Sequence, residues 1–474
     1  MEKTKSLISY LRASFACFWM VTSEPTRVRQ IYYPMLPAYD GSNGDSTRKF
    51  KIDEWDCIQS PKYEDPLIRL NGAEQDTIMF LYNYHFYAKQ PKAIQLIQNN
   101  IPVWSSEGKA IVVVSTSNEI PKELEKDFTL LHLELPGKEQ ILEIMEHSVP
   151  DQSFMPKGEE LDEAVKACKS LNSREIENVI SLSIVDTKKV DIITINDYRA
   201  QAIKKSGFAE VMQSDLTFDD VIGYEPGKAQ VMTTINNPNA KGVIWIGPPG
   251  TGKTSLGKAI ANESKKLSLQ VHTGKFLSKY VGESDRLLDE FFRMIYAIGE
   301  CYMFLDEFDK QFAGGSGEHD GGTGKRQIGR WLEFFQDRPK GVYINTTCNS
   351  FVGVPSALFR AGRWDSAPWY VGMPSAKVRN KILDYYINKF KLSDEQVDEE
   401  IDTTNWVGAE IEALCHNANM RNLPLSEASQ FIRPMYNTRR EEIQALEDWA
   451  KDRTIDAEKL PKAKSLKLKR KLDV

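Results

Sequence analysis

Four features of the chain carry residue types whose spacing suits the transfer of a phosphoryl group. The first is Gly247-Pro248-Pro249-Gly250-Thr251-Gly252-Lys253-Thr254, followed by Ser255, which fits the phosphate-cradling pattern GxxxxGK[ST]. Its glycines admit positive backbone angles, so successive N–H groups can converge on phosphate oxygens. Lys253 is expected to reach the β- and γ-phosphates and Thr254 to ligate Mg2+. The second, CYMFLDEFDK, ends an apolar run on Asp306 and Glu307. The first acid suits the magnesium site, and the second can orient and polarise an attacking water. The third is Asn349, which closes GVYINTTCN, where an amide can hydrogen-bond both the γ-phosphate and that water. The fourth is the pair Arg360 and Arg363 in ALFRAGRWD. Alone, two arginines three apart describe a solvated face, but beside the other motifs they suit the charge of a transferred phosphoryl group.

Such residues must be held at strand tips. An apolar run from Val243 to Ile246 leads into the glycine loop, and a helical pattern begins near Gly252, whose positive dipole end adds to the cradle. The expected fold is α/β, a doubly wound parallel sheet of the P-loop NTPase type with a C-terminal helical lid. Composition agrees with a globular protein: 41% hydrophobic, 27% charged and a net charge of -6, which disfavours the whole chain as a nucleic-acid binder. The six cysteines have no paired spacing, which argues against a zinc site or disulfide framework and for a reducing, cytoplasmic setting. No apolar run approaches a membrane span, so no membrane partner is expected. The last residues, Lys459 to Val474, hold seven basic side chains against one acid. They read as a solvated, disordered end, and they are the only place where nucleic acid is an expected partner.

These motifs resemble the AAA family of ring-forming ATPases from about Leu216 to Arg453. LTFDDVIGYEPGKAQV is similar to that family's opening segment, where the resemblance implies that Val221, Ile222 and Gly223 lie against adenine. SKYVGESDRLLDEFF resembles the first pore loop, with Tyr280 and Val281 facing a central channel and gripping polypeptide. WVGAEIEALCHNAN resembles the lid helix, with Ala409 where other AAA+ branches carry a sensing arginine. The resemblance implies ATP and Mg2+ as cofactors and a homo-oligomer, expected as a hexamer, in which Arg360 and Arg363 act on the neighbour's nucleotide. It also implies an unidentified protein substrate that is remodelled or threaded. A nucleic-acid-directed motor and a nucleotide-gated scaffold are the alternatives. The spacing from FLDEFDKQF through the Gly-rich GGSGEHDGGTGKRQIGRWLEFFQD to LFRAGRWD is most similar to a cyanobacterial and plastid AAA-domain family with a degenerate N-terminal AAA-like half.

An internal repeat supports that last likeness. Val21 aligns with Ile246, Leu81 with Leu305, Asn118 with Asn349, Pro136 with Pro374 and Glu175 with Glu410, in order and at nearly one offset. In the first copy Ser23-Glu24-Pro25-Thr26-Arg27 replaces the glycine loop, and Tyr82-Asn83 replaces the acid pair, so no nucleotide is expected there. An unrelated α/β domain is the other reading of that half. The expected organisation is a degenerate AAA-like domain over 1–195, a linker over 196–215, an ATPase domain over 216–376, a helical lid over 377–453 and a basic disordered tail over 454–474. The stretch AYDGSNGDSTRKF reads as a polar surface insertion, and Gly314 to Gly324 as a second pore loop.

Overall fold

A computed structural model describes residues 7–38, 49–276, 283–311, 323–360, 362–397 and 401–459. The chain divides into two compact units, one formed by Met1–Met155 with Leu171–Val190 and the other by Pro156–Ser170 with Asp191–Val474.

The first unit is built on a five-stranded, all-parallel sheet of β1 (Cys17–Val21), β2 (Lys51–Trp55), β3 (Thr77–Tyr82), β4 (Ala110–Ser115) and β5 (Thr129–His132), in the order β2-β3-β4-β1-β5. Both faces of the central strands β1, β3 and β4 are covered, which is why these three are apolar almost throughout, whereas the edge strands β2 and β5 carry exposed polar residues. Trp19, Met79, Leu81, Ile111 and Val113 point into one buried cluster. Phe18, Met20, Ile78, Phe80 and Val112 point into the opposite one.

The second unit holds β6 (Ala209–Val211), β7 (Gly242–Ile246), β8 (Ser268–Val271), β9 (Cys301–Leu305), β10 (Val342–Cys348), β11 (Trp369–Tyr370) and β12 (Ile455–Asp456). Their order is β12-β11-β7-β10-β9-β8-β6, parallel except where β6 runs antiparallel to β8 at the edge. Here too the side chains alternate between two buried clusters, Ile244, Ile246, Met303 and Leu305 on one face and Val243, Trp245, Tyr302 and Phe304 on the other. Helices Ala376–Phe390 and Gly408–Arg421 pack together as a lid around Ile382, Trp406, Ile411, Leu414 and Cys415.

The two sheets repeat one plan. Strands β8-β9-β10-β7-β11 stand in the same order as β2-β3-β4-β1-β5. Val21 faces Ser115 as Ile246 faces Cys348, and Leu81 faces Val113 as Leu305 faces Thr346, so both copies share one register. Even the turn after the third strand is kept, with Asn83 at φ 57° and Glu307 at φ 49°. Glu175 and Glu410 each accept a hydrogen bond from the N-cap backbone of their helix, at 2.9 and 2.8 Å. One detail of the alignment changes: strand register sets Thr116, not Asn118, opposite Asn349, so matching the two asparagines requires two extra residues.

Three boundaries differ from expectation. Residues 196–215 are not an irregular linker, because helix Ile192–Ser206 and β6 occupy most of them. Asp191 caps that helix by accepting from the Thr194 N–H at 3.0 Å, and Gly207 at φ 78° ends it. The helix Glu159–Cys168 packs with it, and the Arg199 guanidinium donates to Ser170 Oγ at 3.3 Å, which places 156–170 in the second unit. The expected tail does not start disordered at 454: Ile455–Asp456 joins the sheet as β12, and the Ala457 N–H donates to Tyr370 O at 2.9 Å. Residues 460–474, the insertion 39–48, Tyr280 and Val281, and most of the Gly-rich loop lie outside the described residues.

Candidate nucleotide-binding site

Strand β7 lies between β11 and β10, where connections leave toward opposite edges, and a crevice opens beyond such a switch point. The register lines up the ends of β7, β10 and β9, so the glycine loop, Asn349 and Asp306 emerge side by side. Six residues, Gly247 to Gly252, connect β7 to the helix Lys253–Ser264. Gly250 at φ 77° and Gly252 at φ 91° hold the left-handed angles that curl this loop.

Lys253 is buried, and its ammonium donates to Gly247 O at 2.8 Å and Pro248 O at 2.6 Å. Burial pushes its pKa down to about 8, against the pull of nearby acids. A cation held so inside its own loop is in place for phosphate oxygens. Thr254 Oγ1 donates to both oxygens of Asp306, at 3.1 and 3.0 Å, and the Thr347 hydroxyl donates to the same carboxylate. These are hard oxygen donors, and among the described residues no group of three or more His, Cys, Asp or Glu gathers as a metal cluster. That donor set fits Mg2+, which takes one or two protein oxygens and completes its shell with phosphates and water.

The Glu307 N–H donates to Thr347 Oγ1 at 2.8 Å, and Glu307 Oε1 accepts from Asn349 Nδ2 at 3.0 Å. Both groups line a cavity of about 240 Å3 together with Pro249 to Ser255. Val221 and Ile222 line it as well, whereas Gly223 lines a second cavity that Val221 and Ile222 share, and Pro248 lines a third with Glu307 and Asn349 while its carbonyl accepts from Lys253. The lid adds Ile382, Tyr385, Tyr386, Gly408, Ala409 and Glu412. Sequence reasoning missed Tyr385, Tyr386 and Glu412, which reach the cleft only because the lid folds over it. Asp220 was the available signal: it accepts from Thr217 at 2.8 Å in a capping box, and from Tyr385 Oη at 2.6 Å. Tyr224 Oη donates to Thr251 O at 2.7 Å, and buried Lys228 donates to the carbonyls of Phe218 and Val221, so the opening segment is stitched to the loop.

The two arginines part company. Arg360 is exposed, and among the described residues its guanidinium makes no hydrogen bond or ion pair. Arg363 turns into its own unit and donates to Leu332 O at 3.2 Å and to Ala357 O.

In the first unit the corresponding place is filled. Only three residues, Thr22 to Glu24, connect β1 to its helix, too few to curl around a phosphate. The Glu24 carboxylate accepts from Arg27 at 3.1 Å and from the Ser173 N–H at 2.7 Å, capping a helix that matches the lid helix at Gly408. Arg27 also donates to Glu134 O and Gln140 Oε1. Tyr82, at the position of Asp306, hydrogen-bonds with Tyr33 at 3.2 Å and lies under the Arg29 guanidinium.

A glycine loop at a sheet switch point, a buried loop lysine, and a hydroxyl paired to a strand-tip acid beneath a helical lid define a nucleotide-hydrolysing P-loop protein. The chain belongs to the AAA ATPases. Residues 243–368 match the ATPase family associated with various cellular activities (AAA), and residues 3–133 match the SpoVK-like AAA ATPase N-terminal domain. It is 26% identical to the "Uncharacterized AAA domain-containing protein ycf46" of Guillardia theta, over 95% of each chain. It is 31% identical to a "Cell division cycle protein 48 homolog" of Archaeoglobus fulgidus, over 46% of this chain and 32% of that one. A "26S proteasome regulatory subunit 4 homolog" of Encephalitozoon cuniculi is 32% identical over 43% of this chain and 52% of its own. The protein is an ATP-binding ATPase. Among the described residues no helix is long and apolar enough to cross a membrane.

Proposed function

We propose that ATP hydrolysis in the second unit drives the remodelling or threading of a protein substrate through a homo-hexameric ring in the cytoplasm. The observation that supports this reading is Arg360, exposed and without a hydrogen bond or ion pair among the described residues, a cation that in a ring would serve the nucleotide of a neighbouring subunit. Lys253 and the loop N–H groups hold the phosphates, and Thr254 with Asp306 holds Mg2+. When bound, that ion neutralises charge on the phosphate oxygens. Glu307 accepts the proton of the attacking water, which Asn349 aligns against the γ-phosphate. Val221, Ile222, Tyr385 and Tyr386 enclose the base, while Arg363 braces the segment that presents Arg360. Tyr280 and Val281 grip the substrate.

Mixing two inactive variants tests the shared site. Arg360→Ala chains keep an intact loop, and Lys253→Ala chains keep an intact arginine. A ring predicts that the mixture regains turnover that neither variant shows, and that wild-type activity rises with protein concentration. An inactive mixture together with concentration-independent wild-type activity would refute the ring. Capture of polypeptides by a Glu307→Gln variant loaded with ATP, read by mass spectrometry, tests the substrate class.

A further inference from the structure

The carboxylate placed to activate water is held from both sides. Glu307 Oε1 accepts from Asn349, and Glu307 Oε2 forms an ion pair with the ammonium of Lys310, one turn along the short helix Phe308–Gln311. A carboxylate with both oxygens engaged is poorly disposed to take a proton. The lysine pair is the weaker restraint, since its side chains are 65% and 41% exposed and exposed pairs are readily exchanged. An alternative partner stands beside it. Asp309 is mostly buried, its Oδ2 accepts from the Ser350 N–H at 3.1 Å, and its Oδ1 has no hydrogen-bond partner. Buried polar atoms without partners are rare and call for an explanation. Asp309, Lys310, Glu307 and Asn349 all line one cavity of about 360 Å3 beside Pro248 and Pro249 of the loop, to which Arg439 and Glu442 of the helix Tyr436–Ala450 also contribute.

We propose that Lys310 is a positioning residue that restrains hydrolysis: its pair with Glu307 withholds the carboxylate from water, and turnover begins when the ammonium passes to Asp309. The proposal rests on the reading of Glu307 as the residue that activates water. No proton changes hands in the exchange, since one ion pair replaces another within the same cavity. Lys310 does not line the cleft formed by Pro249 to Ser255, so its effect falls on the hydrolytic step and not on nucleotide affinity.

Lys310→Ala in the full chain is expected to raise kcat roughly three- to fivefold, the rate equivalent of releasing an exposed ion pair, with KM for ATP unchanged. Lys310→Arg should return kcat to the wild-type value, which a merely structural role would not require. Asp309→Asn, which takes away the charge of the receiving group, should lower kcat at unchanged KM. A Lys310→Ala variant with wild-type thermal stability and an unchanged or reduced kcat overturns the proposal. The Glu307→Gln variant separates the two readings. If it binds ATP without turnover, Glu307 is placed correctly and the Lys310 result stands by itself. If it still hydrolyses ATP, the role of Glu307 is overturned first.

Discussion

Residue by residue, the site depends on backbone angles as much as on side chains. Glu307 at φ 49° is costly for a residue with a Cβ, and the same turn recurs at Asn83, where no chemistry remains. The turn therefore persists at this strand ending whether or not an acid occupies it. The two loop glycines differ in a way that can be measured. A Cβ at Gly252 would meet no atom within 4 Å, whereas one at Gly250 would lie 2.8 Å from Val407 Cγ2, at the start of the lid helix. Both substitutions to Ala pay left-handed strain of about 1–2 kcal/mol. Only Gly250→Ala must also push Val407 away and stretch the bond from the Ala409 N–H to Gly250 O, 3.1 Å in the native fold. Thermal unfolding without nucleotide should fall by a few degrees for Gly252→Ala, at roughly 2–4 °C per kcal/mol, and clearly further for Gly250→Ala. Equal losses would mean that the lid contact does not constrain Gly250.

At the scale of elements, the first unit replaces a ligand with an internal salt link. Glu24 and Arg27 have side chains only 9% and 8% exposed, and the carboxylate caps a helix while the guanidinium reaches the carbonyl of Glu134. Removing one member of a buried pair strands the other, so Arg27→Ala should destabilise this unit by about 3–5 kcal/mol. Removing both loses one cap but leaves no buried charge, so Glu24→Ala with Arg27→Ala should be more stable than Arg27→Ala alone. Denaturant unfolding of the full chain checks the order, and a double variant less stable than Arg27→Ala would show that Glu24 is not harmed by losing its partner. The elements were unequally legible in the sequence. Apolar strands buried on both faces announce themselves as short runs, and the strand-tip residues follow directly, so Lys253, Thr254, Asp306, Glu307 and Asn349 emerge together. Helix Ile192–Ser206 had readable signals in Asp191 and Gly207, but it falls where two repeats invite a linker. The helix Tyr436–Ala450 reads as part of the lid, yet Leu446 enters the core of the sheet and Trp449 stacks on Phe351 at 5.1 Å. Docking of that kind depends on which surface is left uncovered, and local spacing carries no trace of it.

For the whole molecule, two copies of one sheet plan imply two nucleotide clefts, and the residues imply one. The second unit keeps a six-residue loop, a buried lysine and an acid paired to a hydroxyl. The first unit has a three-residue connection, no lysine in it, a carboxylate where phosphate would lie, and Tyr82 where the metal-holding acid would stand. These losses compound: a shorter loop removes converging N–H groups, and Glu24 adds repulsion that grows as water is excluded. Restoring any single residue would therefore leave the cleft closed to phosphate. Calorimetric titration of the Glu307→Gln full chain with ATP and Mg2+ should accordingly give one site per chain, and Lys253→Ala should remove it without uncovering a second. Two sites in the first titration, or micromolar binding that survives Lys253→Ala, would show that the first unit still takes nucleotide. A single site would mean that ATP acts on the chain through the second unit alone.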